Sequence, residues 1–401
     1  MKDGDESMWN EIRVADLGRV VTGKTPKTAI EGYYGGDIPF LTPSDDMMAK
    51  YVRHTSKTLS EEGAASVKGA IIPKESVCVS CIGSDLGRAV ITTQTTVTNQ
   101  QINSIVVNTD KYDVDFVYYA MIELGKILNI HSKSSTAVPI INKSTFSQYT
   151  IKCPEMEEQK KAVSVLSALD RKIENDGFLC TNLQEQINTI FNSYFVSFDS
   201  VEEFEQAEVG SIPKGWKVVT LGEVTENIRT RVGKASFPVL SAVNTGELIL
   251  SEDYFSKQVY SKDISKYIIV NENDFAYNPA RVNIGSIGIN DLGFAGCVSP
   301  VYVVFRVEPE YTDYFECYIK TQKFKEEVKL RASGSVRQAM SYNDFSLIKV
   351  AFPPRRIIEK FNDIVAPIKT EIRNLSTDIN KTIEMRDNLL PLIMAGEFIP
   401  N

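Results

Sequence analysis

The sequence contains few of the residues on which metal binding and covalent catalysis usually depend. Its 401 residues include only 2 histidines and 6 cysteines, and the cysteines are scattered. Scarce imidazoles and scattered thiols argue against metal chemistry in this chain and favour a reducing, cytoplasmic location. No apolar run approaches the roughly 18 residues that a membrane span needs, and no apolar signal segment stands near the start. The sequence therefore predicts a cytoplasmic protein without a metal site.

Positive charge is not in excess either. The net charge is −8, which argues against a protein that coats nucleic acid on its own. A partner can supply phosphate contacts, so this charge does not exclude DNA binding. With 43% apolar and 24% charged residues, the composition is that of a globular chain of about two to three domains.

Residues 17–28, LGRVVTGKTPKT, match the phosphate-binding pattern G-x-x-x-x-G-K-[ST] at Gly18, Gly23, Lys24 and Thr25. That pattern binds nucleotide when a buried strand precedes it and a helix begins at the Lys-Thr pair. Here a proline follows Thr25, GYYGG comes soon after, and the preceding EIRVADL is half polar, so neither element is expected. We predict a strand and a turn, with a nucleotide-hydrolysing P-loop as the disfavoured alternative.

Three further patterns in the sequence give no catalytic site. Cys78 and Cys81 form a C-x-x-C inside a strand-like run without a second pair or a nearby histidine. The segment NPAR at 278–281 is similar to the loop of amino-methyltransferases but lacks their aromatic residue. His54 and His131 have no patterned nucleophile or carboxylate. The chain is therefore expected to be non-catalytic, with no cofactor of its own.

The two halves of the sequence repeat one another. MWNEIRVADLGRVVTG near the start returns as KGWKVVTLGEVTEN, and YDVDFVYYAMIELGKIL from Tyr112 returns as YTDYFECYIKTQKFKEE from Tyr311. NKSTFSQYTIKCPEMEEQ returns as SYNDFSLIKVAFPPRRII, and the offset from Tyr112 onward is 199 residues. Aligning Gly18 with Gly222 gives an offset of 204, and the second copy has no Gly-Lys-Thr there. A nucleotide site present in one copy alone is further disfavoured.

Each copy ends in a long helical pattern, and the two patterns share one register. Apolar residues step alternately by four and three over at least about four heptads, which predicts a coiled coil. Two separate amphipathic helices are the alternative, and Asn175 to Gly177 is expected to loosen the first helix. The predicted seam consists of Leu166, Leu169, Ile173, Leu183, Ile187, Ile190, Val365, Ile368, Ile372, Leu375, Ile379 and Leu389.

The predicted fold class is α+β, with two pseudo-repeated globular α/β domains held apart by two long antiparallel coiled-coil helices. An antiparallel pair about a pseudo-two-fold axis lets each helix carry a domain. A helix of 33 residues is roughly 50 Å long, close to one and a half turns of DNA. We expect the first domain at 1–153, the first spacer helix at 154–198, a linker and second domain at 199–353, and the second spacer helix at 354–401.

Basic and small polar residues concentrate before each long helix. In the second copy a cationic helix leads into ASGSVRQAMSY, and the first copy has GKILNIHSKSSTAVPIINKS at the matching place. Such a segment suits phosphate contacts and base-edge contacts, although a solvated helix and an ordinary loop are the plain alternative. The candidate DNA-binding residues are Lys133, Ser134, Ser135, Thr136, Lys143, Arg281, Lys323, Lys329, Arg331, Ser333, Gly334, Ser335, Arg337, Gln338 and Tyr342.

Together these features resemble the specificity subunit of a type I restriction–modification system. The resemblance rests on W…ADLGRVVTGKTP, on GSIPKGWKVVTLGEV, on the P…EQ entry to the first helix, and on the loops and helices that close both copies. It implies two target-recognition domains that each read one half of a split double-stranded DNA site, with helices that set the spacing. It also implies docking of two DNA adenine methyltransferase subunits and recruitment of restriction (translocase/endonuclease) subunits, which would hold S-adenosylmethionine, ATP and Mg. The alternative function is a coiled-coil adaptor that binds protein partners without reading DNA.

Overall fold

The structure is a computed structural model that describes residues 9–83, 86–133, 140–255, 260–331 and 339–398. The chain divides into two compact units, and each contains one globular domain and part of both long helices. The first unit comprises 1–178 and 375–401, and the second comprises 179–374.

The first unit is built from short strands in three sheets. Strand orders are β2-β10-β7-β8-β4, β5-β3-β9-β6 and β1-β11. The elements are β1 (Asn10–Arg13), β2 (Gly18–Thr22), β3 (Tyr34–Leu41), β4 (Tyr51–Val52), β5 (Thr58–Leu59), α1 (Glu61–Ala65), β6 (Ile71–Ile72), β7 (Ser76–Ser80), β8 (Ala89–Thr92), β9 (Thr96–Thr98), β10 (Ile102–Val107), α2 (Val114–Lys133), α3 (Lys143–Gln148), β11 (Thr150–Cys153) and α4 (Met156–Phe195).

The core of the first unit lies between its five-stranded sheet and α2. β7 and β8 are buried at every position, including Ser76 and Ser80 at the ends of β7, so this part of the sheet is covered on both faces. Phe116 and Met121 of α2 pack in the same cluster as Val77 and Ile105 of the sheet. Asn142 begins α3 by accepting a hydrogen bond from the Thr145 amide at 2.9 Å, which satisfies one of the free amides at the helix start.

The second unit repeats this arrangement. Its main sheet has the order β15-β22-β19-β20, which corresponds strand for strand to β2-β10-β7-β8, and β14-β23 corresponds to β1-β11. The elements are β12 (Phe204–Ala207), β13 (Gly210–Pro213), β14 (Lys217–Thr220), α5 (Leu221–Val224), β15 (Thr225–Ile228), β16 (Leu240–Ala242), β17 (Leu248–Leu250), α6 (Ser251–Tyr254), β18 (Ile268–Val270), β19 (Phe275–Tyr277), β20 (Ile287–Ile289), β21 (Gly296–Val298), β22 (Val303–Val307), α7 (Thr312–Tyr318), α8 (Gln322–Arg331), α9 (Tyr342–Ser346), β23 (Lys349–Phe352) and α10 (Arg355–Met394).

The structure corrects the alignment of the two copies near their starts. Val14 and Leu221 each donate a backbone hydrogen bond, to the carbonyls of Tyr149 and Ile348 respectively. In the first unit the strand that follows, β2, begins at Gly18, opposite Val107. In the second unit the corresponding strand, β15, begins at Thr225, opposite Val307. Gly18 therefore corresponds to Thr225, and pairing it with Gly222 is three residues out because the repeated Leu-Gly letters lie in non-equivalent turns.

The two long helices have equal length and the predicted register. α4 and α10 each contain 40 residues, and their bounds differ by the same 199 residues as the repeats. In the first unit Leu166 of α4 packs with Leu390 and Ile393 of α10, and in the second Ile187 packs with Phe361. In each unit, the N-terminal part of one long helix packs against the C-terminal part of the other. The pairing is therefore antiparallel in each unit. The predicted fold class is confirmed.

Every predicted seam residue is buried or half-buried. α4 nevertheless runs unbroken through Asn175 and Gly177, where we expected a weak point. The propensity cost of one glycine is only about 1 kcal/mol, which the packing of a 40-residue helix outweighs. The predicted linker is also partly regular, since β12 pairs with β13 within it.

Candidate nucleic-acid interface

The nucleotide-binding pattern of the sequence lies in a strand and an irregular turn. Gly18 begins β2, and the amides of Gly23 and Lys24 donate to the carbonyls of Ile102 and Thr98 at 3.1 and 2.8 Å. The next helical segment is a three-residue 3₁₀ turn beginning at Glu31. These two amides already donate hydrogen bonds to backbone carbonyls, and no helix begins at Lys24. The segment therefore cannot hold phosphate as a P-loop does.

The cysteine pair is structural. Cys78 lies within β7 and Cys81 directly after it, and both are buried and free of disulfides. Burial raises the pKa of the Cys78 thiol to about 12 and that of Cys81 to about 11, so neither is a thiolate at neutral pH. Within the described ranges, no group of three or more His, Cys, Asp or Glu could hold a metal ion. Among the helices described, none is long and apolar enough to cross a membrane.

Each unit has a large cleft at the same place. In both, a loop follows the central strand of the sheet and turns through a glycine in the left-handed region, Gly87 at φ 90° and Gly285 at φ 95°. The same loop accepts a 3.0 Å hydrogen bond from the chain that precedes α3 or α9, at the carbonyls of Cys81 and Pro279. The cleft lies between this loop and α2 or α8, with volumes of about 510 and 520 Å³.

The second cleft carries unpaired polar side chains. Asn244, Asn283 and Lys325 line it and are exposed. Within the part of the chain that the structure describes, these three side chains have neither a hydrogen-bond nor an ion-pair partner. Lys320, by contrast, is held by Glu316 at 3.1 Å. A cleft wall with two amides and one ammonium group can donate to phosphate and to base edges.

The predicted DNA-binding residues fall into three groups in the structure. Arg331 and Tyr342 are already engaged: Arg331 donates to the Leu347 carbonyl at 3.3 Å, and the Tyr342 hydroxyl donates to the Thr225 carbonyl at 2.9 Å. Lys143, Arg281, Lys323 and Lys329 are exposed, with Lys323 within 3.4 Å of the Val209 carbonyl. The others lie outside the described residues, as side chain or as whole residue: Lys133, Ser134, Ser135, Thr136, Ser333, Gly334, Ser335, Arg337 and Gln338.

The first cleft is lined differently. Its lysine, Lys126, pairs with Glu123 at 2.6 Å, and the amide of Asn129 donates to the Leu86 carbonyl at 3.2 Å. Large apolar side chains stand exposed at its edge, Met48 at 71% and Ile130 at 68%. In both units the cleft is therefore lined by the helix that leads toward the segment that the sequence singled out. The unpaired polar side chains lie in the second cleft, which also has one exposed apolar side chain, Ile284 at 54%, whereas the first exposes the larger apolar surface.

A buried ionic network fixes the long helices to the first domain. The Lys50 ammonium group lies 3.0 Å from Asp115 of α2 and 3.7 Å from Asp170 of α4. Asp170 also accepts hydrogen bonds from Tyr119 at 2.5 Å and from Arg386 of α10 at 3.0 Å. Because three helices and one loop contribute, the network joins the cleft wall to both long helices.

The second unit has a network of opposite sign at the matching helix position. Lys369 of α10, 199 residues after Asp170, contacts Asp313 at 2.6 Å and Glu316 at 2.7 Å. Burial by itself lowers the pKa of Lys369. The nearby carboxylates Glu316 and Asp313 raise it by more, so the pKa ends above its usual value. Burial likewise raises the pKa of Glu316, and Lys369 and Lys320 bring it below the usual value. Both groups are therefore charged at neutral pH.

Sequence reasoning missed Asn244, Asn283 and Lys325. Asn244 lies in the turn between β16 and β17, and Asn283 lies in the loop that follows β19. The two loops touch, since a Cβ on Gly285 would stand 2.7 Å from the Asn244 carbonyl. The available signal was weak: each asparagine stands close to a glycine in a turn, and Lys325 belongs to the cationic stretch already noted.

Comparison with known proteins gives one consistent family. The family of type I restriction modification DNA specificity domains matches residues 6–179. The type I restriction enzyme MjaIX specificity subunit of Methanocaldococcus jannaschii is 26% identical over 408 residues, covering 97% of this chain and 93% of that protein. The HindI specificity subunit of Haemophilus influenzae is 35% identical over 174 residues, 42% of this chain and 38% of that protein.

A solved structure shares the fold over the whole length. The S subunit of the type I restriction–modification system of M. genitalium superposes with a TM-score of 0.54 at 15% identity, covering 100% of this chain and 98% of that chain. At this identity the likeness concerns the fold.

Proposed function

We infer the function of this chain from one premise: it belongs to the DNA specificity subunits of type I restriction–modification systems. The resemblance drawn from the sequence is thereby confirmed, and the chain is a non-catalytic specificity subunit that serves a DNA-modifying complex. The adaptor alternative, which binds protein without reading DNA, finds no support in these matches.

We propose that each globular domain reads one half of a bipartite duplex site through the cleft and the segment that adjoins it. The observation that supports this most directly is the recurrence of the cleft in both units, against the helices that precede the Gly/Ser-containing segments in the chain, with unpaired amides and a lysine in the second. The predicted divisions at 1–153, 154–198, 199–353 and 354–401 stay our proposal for the functional modules.

We further propose that α4 and α10 set the spacing of the half-sites and carry the docking sites of two adenine methyltransferase subunits. Restriction subunits would join that assembly. S-adenosylmethionine, ATP and Mg would be held by these partners, as the resemblance to the family implies. A helix of 40 residues is about 60 Å long, enough to separate two half-sites by more than one turn of DNA.

The test is a methylome of cells that express this chain with its methyltransferase partner, compared with cells that express the partner alone. We expect adenine methylation at one bipartite sequence, dependent on this chain. Gel shifts of the purified complex on that sequence and on a shuffled duplex would check direct binding. Methylation that is independent of this chain, or equal affinity for both duplexes, would contradict the proposal.

A further inference from the structure

The two clefts occupy equivalent places but expose different chemistry. The second places Asn244, Asn283 and Lys325 at its surface without partners among the described residues. In the first, the charged and amide side chains of the described lining are engaged: Lys126 by Glu123, Asn129 by a carbonyl, and Arg386 by two aspartates. Arg88 of that lining also has a partner.

Exposed apolar groups replace hydrogen-bonding groups at the first cleft. Met48 and Ile130 stand 71% and 68% exposed there, and Ile140, which follows the segment outside the described residues, is 69% exposed. In the second unit, the position 199 residues after Ile130 is Lys329, an exposed cation, and the exposed large apolar side chain of the described lining is Ile284 at 54%. Large apolar side chains clustered at the edge of one cleft indicate a contact surface, and this surface lies in the stretch that matches a DNA specificity domain.

On duplex DNA the apolar group available to such a surface is the C5 methyl of thymine in the major groove. An unpaired asparagine amide instead matches adenine, donating to N7 and accepting from the N6 amino group, and a lysine ammonium group donates to guanine N7 and O6. We propose that the two units read their half-sites by different chemistry. The first contacts thymine methyl groups through Met48 and Ile130, and the second donates hydrogen bonds to purines through Asn244, Asn283 and Lys325. This inference rests on the proposed function.

The experiment uses base analogues in the duplex and the chain assembled with its methyltransferase partner. Deoxyuridine replaces thymine in one half-site at a time, which removes only the methyl group. In parallel, 7-deazapurines replace purines, which removes only the N7 acceptor. We expect uracil to weaken binding about four-fold per contacted methyl in one half-site and not in the other. We expect 7-deazapurines to weaken binding about five-fold or more in the opposite half-site.

Variants assign each effect to a unit. Met48→Ala should reduce the difference in affinity between thymine and uracil duplexes, and Asn244→Ala should reduce the difference between purine and 7-deazapurine duplexes. Ile30→Ala and Val301→Ala are matched controls, because these exposed side chains line neither cleft, and both should leave the two ratios unchanged.

Each other outcome has a defined meaning. The inference is overturned if uracil is tolerated in both half-sites, or if the ratio of thymine to uracil affinity is unchanged in Met48→Ala. Weakened assembly of the Met48→Ala complex, with an unchanged ratio of thymine to uracil affinity in the complex that does form, would also overturn it and would make the surface a protein-docking site. The proposed function is tested separately by the wild-type complex, which fails it only if no bipartite site is selected over shuffled DNA.

Discussion

Replacing Arg386 by methionine tests how the last part of α10 is held in the first unit. Methionine keeps most of the apolar stem but removes the guanidinium group that donates to Asp170 at 3.0 Å. The Asp170 side chain is 9% exposed and that of Arg386 is 25% exposed. Removing one partner of a fully buried pair costs about 3 to 5 kcal/mol. Because Lys50 stays 3.7 Å from Asp170 and Arg386 is partly solvated, we expect about 2 to 3 kcal/mol.

The assay is urea unfolding of the full chain, followed by tryptophan fluorescence. The chain has 2 tryptophans, Trp9 in the first unit and Trp216 in the second. A Trp216→Phe background leaves Trp9 as the reporter, and Trp9 is buried beside Phe116 of the first core. The midpoint for the first unit can then be compared between variants at a constant slope.

The matched control is Lys381→Met on the same helix. Lys381 lies 3.9 Å from Asp378 with the two side chains 71% and 56% exposed, so its loss should cost at most about 0.5 kcal/mol. Adding Asp170→Leu to Arg386→Met removes the buried charge as well, and we expect the double variant to be less destabilised than the sum of the two single changes. Equal midpoints for Arg386→Met and Lys381→Met would refute the reasoning.

Four further outcomes are expected. Lys24→Ala should leave DNA binding unchanged, and the wild-type chain should bind no ATP in equilibrium dialysis; magnesium-dependent ATP binding abolished by Lys24→Ala would contradict this. Inserting four residues into both long helices should lengthen each by about 6 Å and move the methylated half-sites apart by about two base pairs, so an unchanged methylome spacing argues against the ruler. Lys329→Ala should weaken binding to all sites alike and reduce the slope of log affinity against log salt concentration by about one. Arg337→Ala should instead relax recognition of one base in the second half-site. Titrations over single-base variants at two salt concentrations distinguish the two effects. Gly125→Ala should destabilise the first unit, since its Cβ would stand 1.9 Å from the Gly87 carbonyl, whereas Gly177→Ala meets open space and should stabilise α4 by about 1 kcal/mol; equal melting temperatures for these two variants would be inconsistent with the packing.

The periodic parts of the molecule could be read from the sequence. A seam that alternates steps of four and three depends on helix geometry alone, so α4 and α10 were predictable together with their common register. The failure of the phosphate-binding pattern was also predictable, because the residues after Lys24 and Thr25 oppose a helix regardless of the tertiary fold.

The clefts depend on contacts that no local pattern contains. Gly87 and Gly125 approach closely although they lie far apart in the chain. Arg331 is of a residue type that often binds DNA, but its guanidinium group donates a hydrogen bond to the carbonyl of Leu347, 16 residues away in the chain. Free and engaged cations look the same in a sequence, and only the packed structure separates Lys325 from Arg331.

The opposite charges at Asp170 and Lys369 limit how recognition domains can be exchanged. The second domain presents Asp313 and Glu316 to its helix, and the first presents Lys50 to its own. If the second domain were grafted onto the start of α4, its two carboxylates would lose Lys369 and meet Asp170 instead. Lys320 beside Glu316 and Arg386 beside Asp170 would then be the cations left to balance three carboxylates. Each domain is therefore matched to its helix by charge. A chimera intended to recognise a new sequence needs the partner residue changed with it, in this case Asp170→Lys.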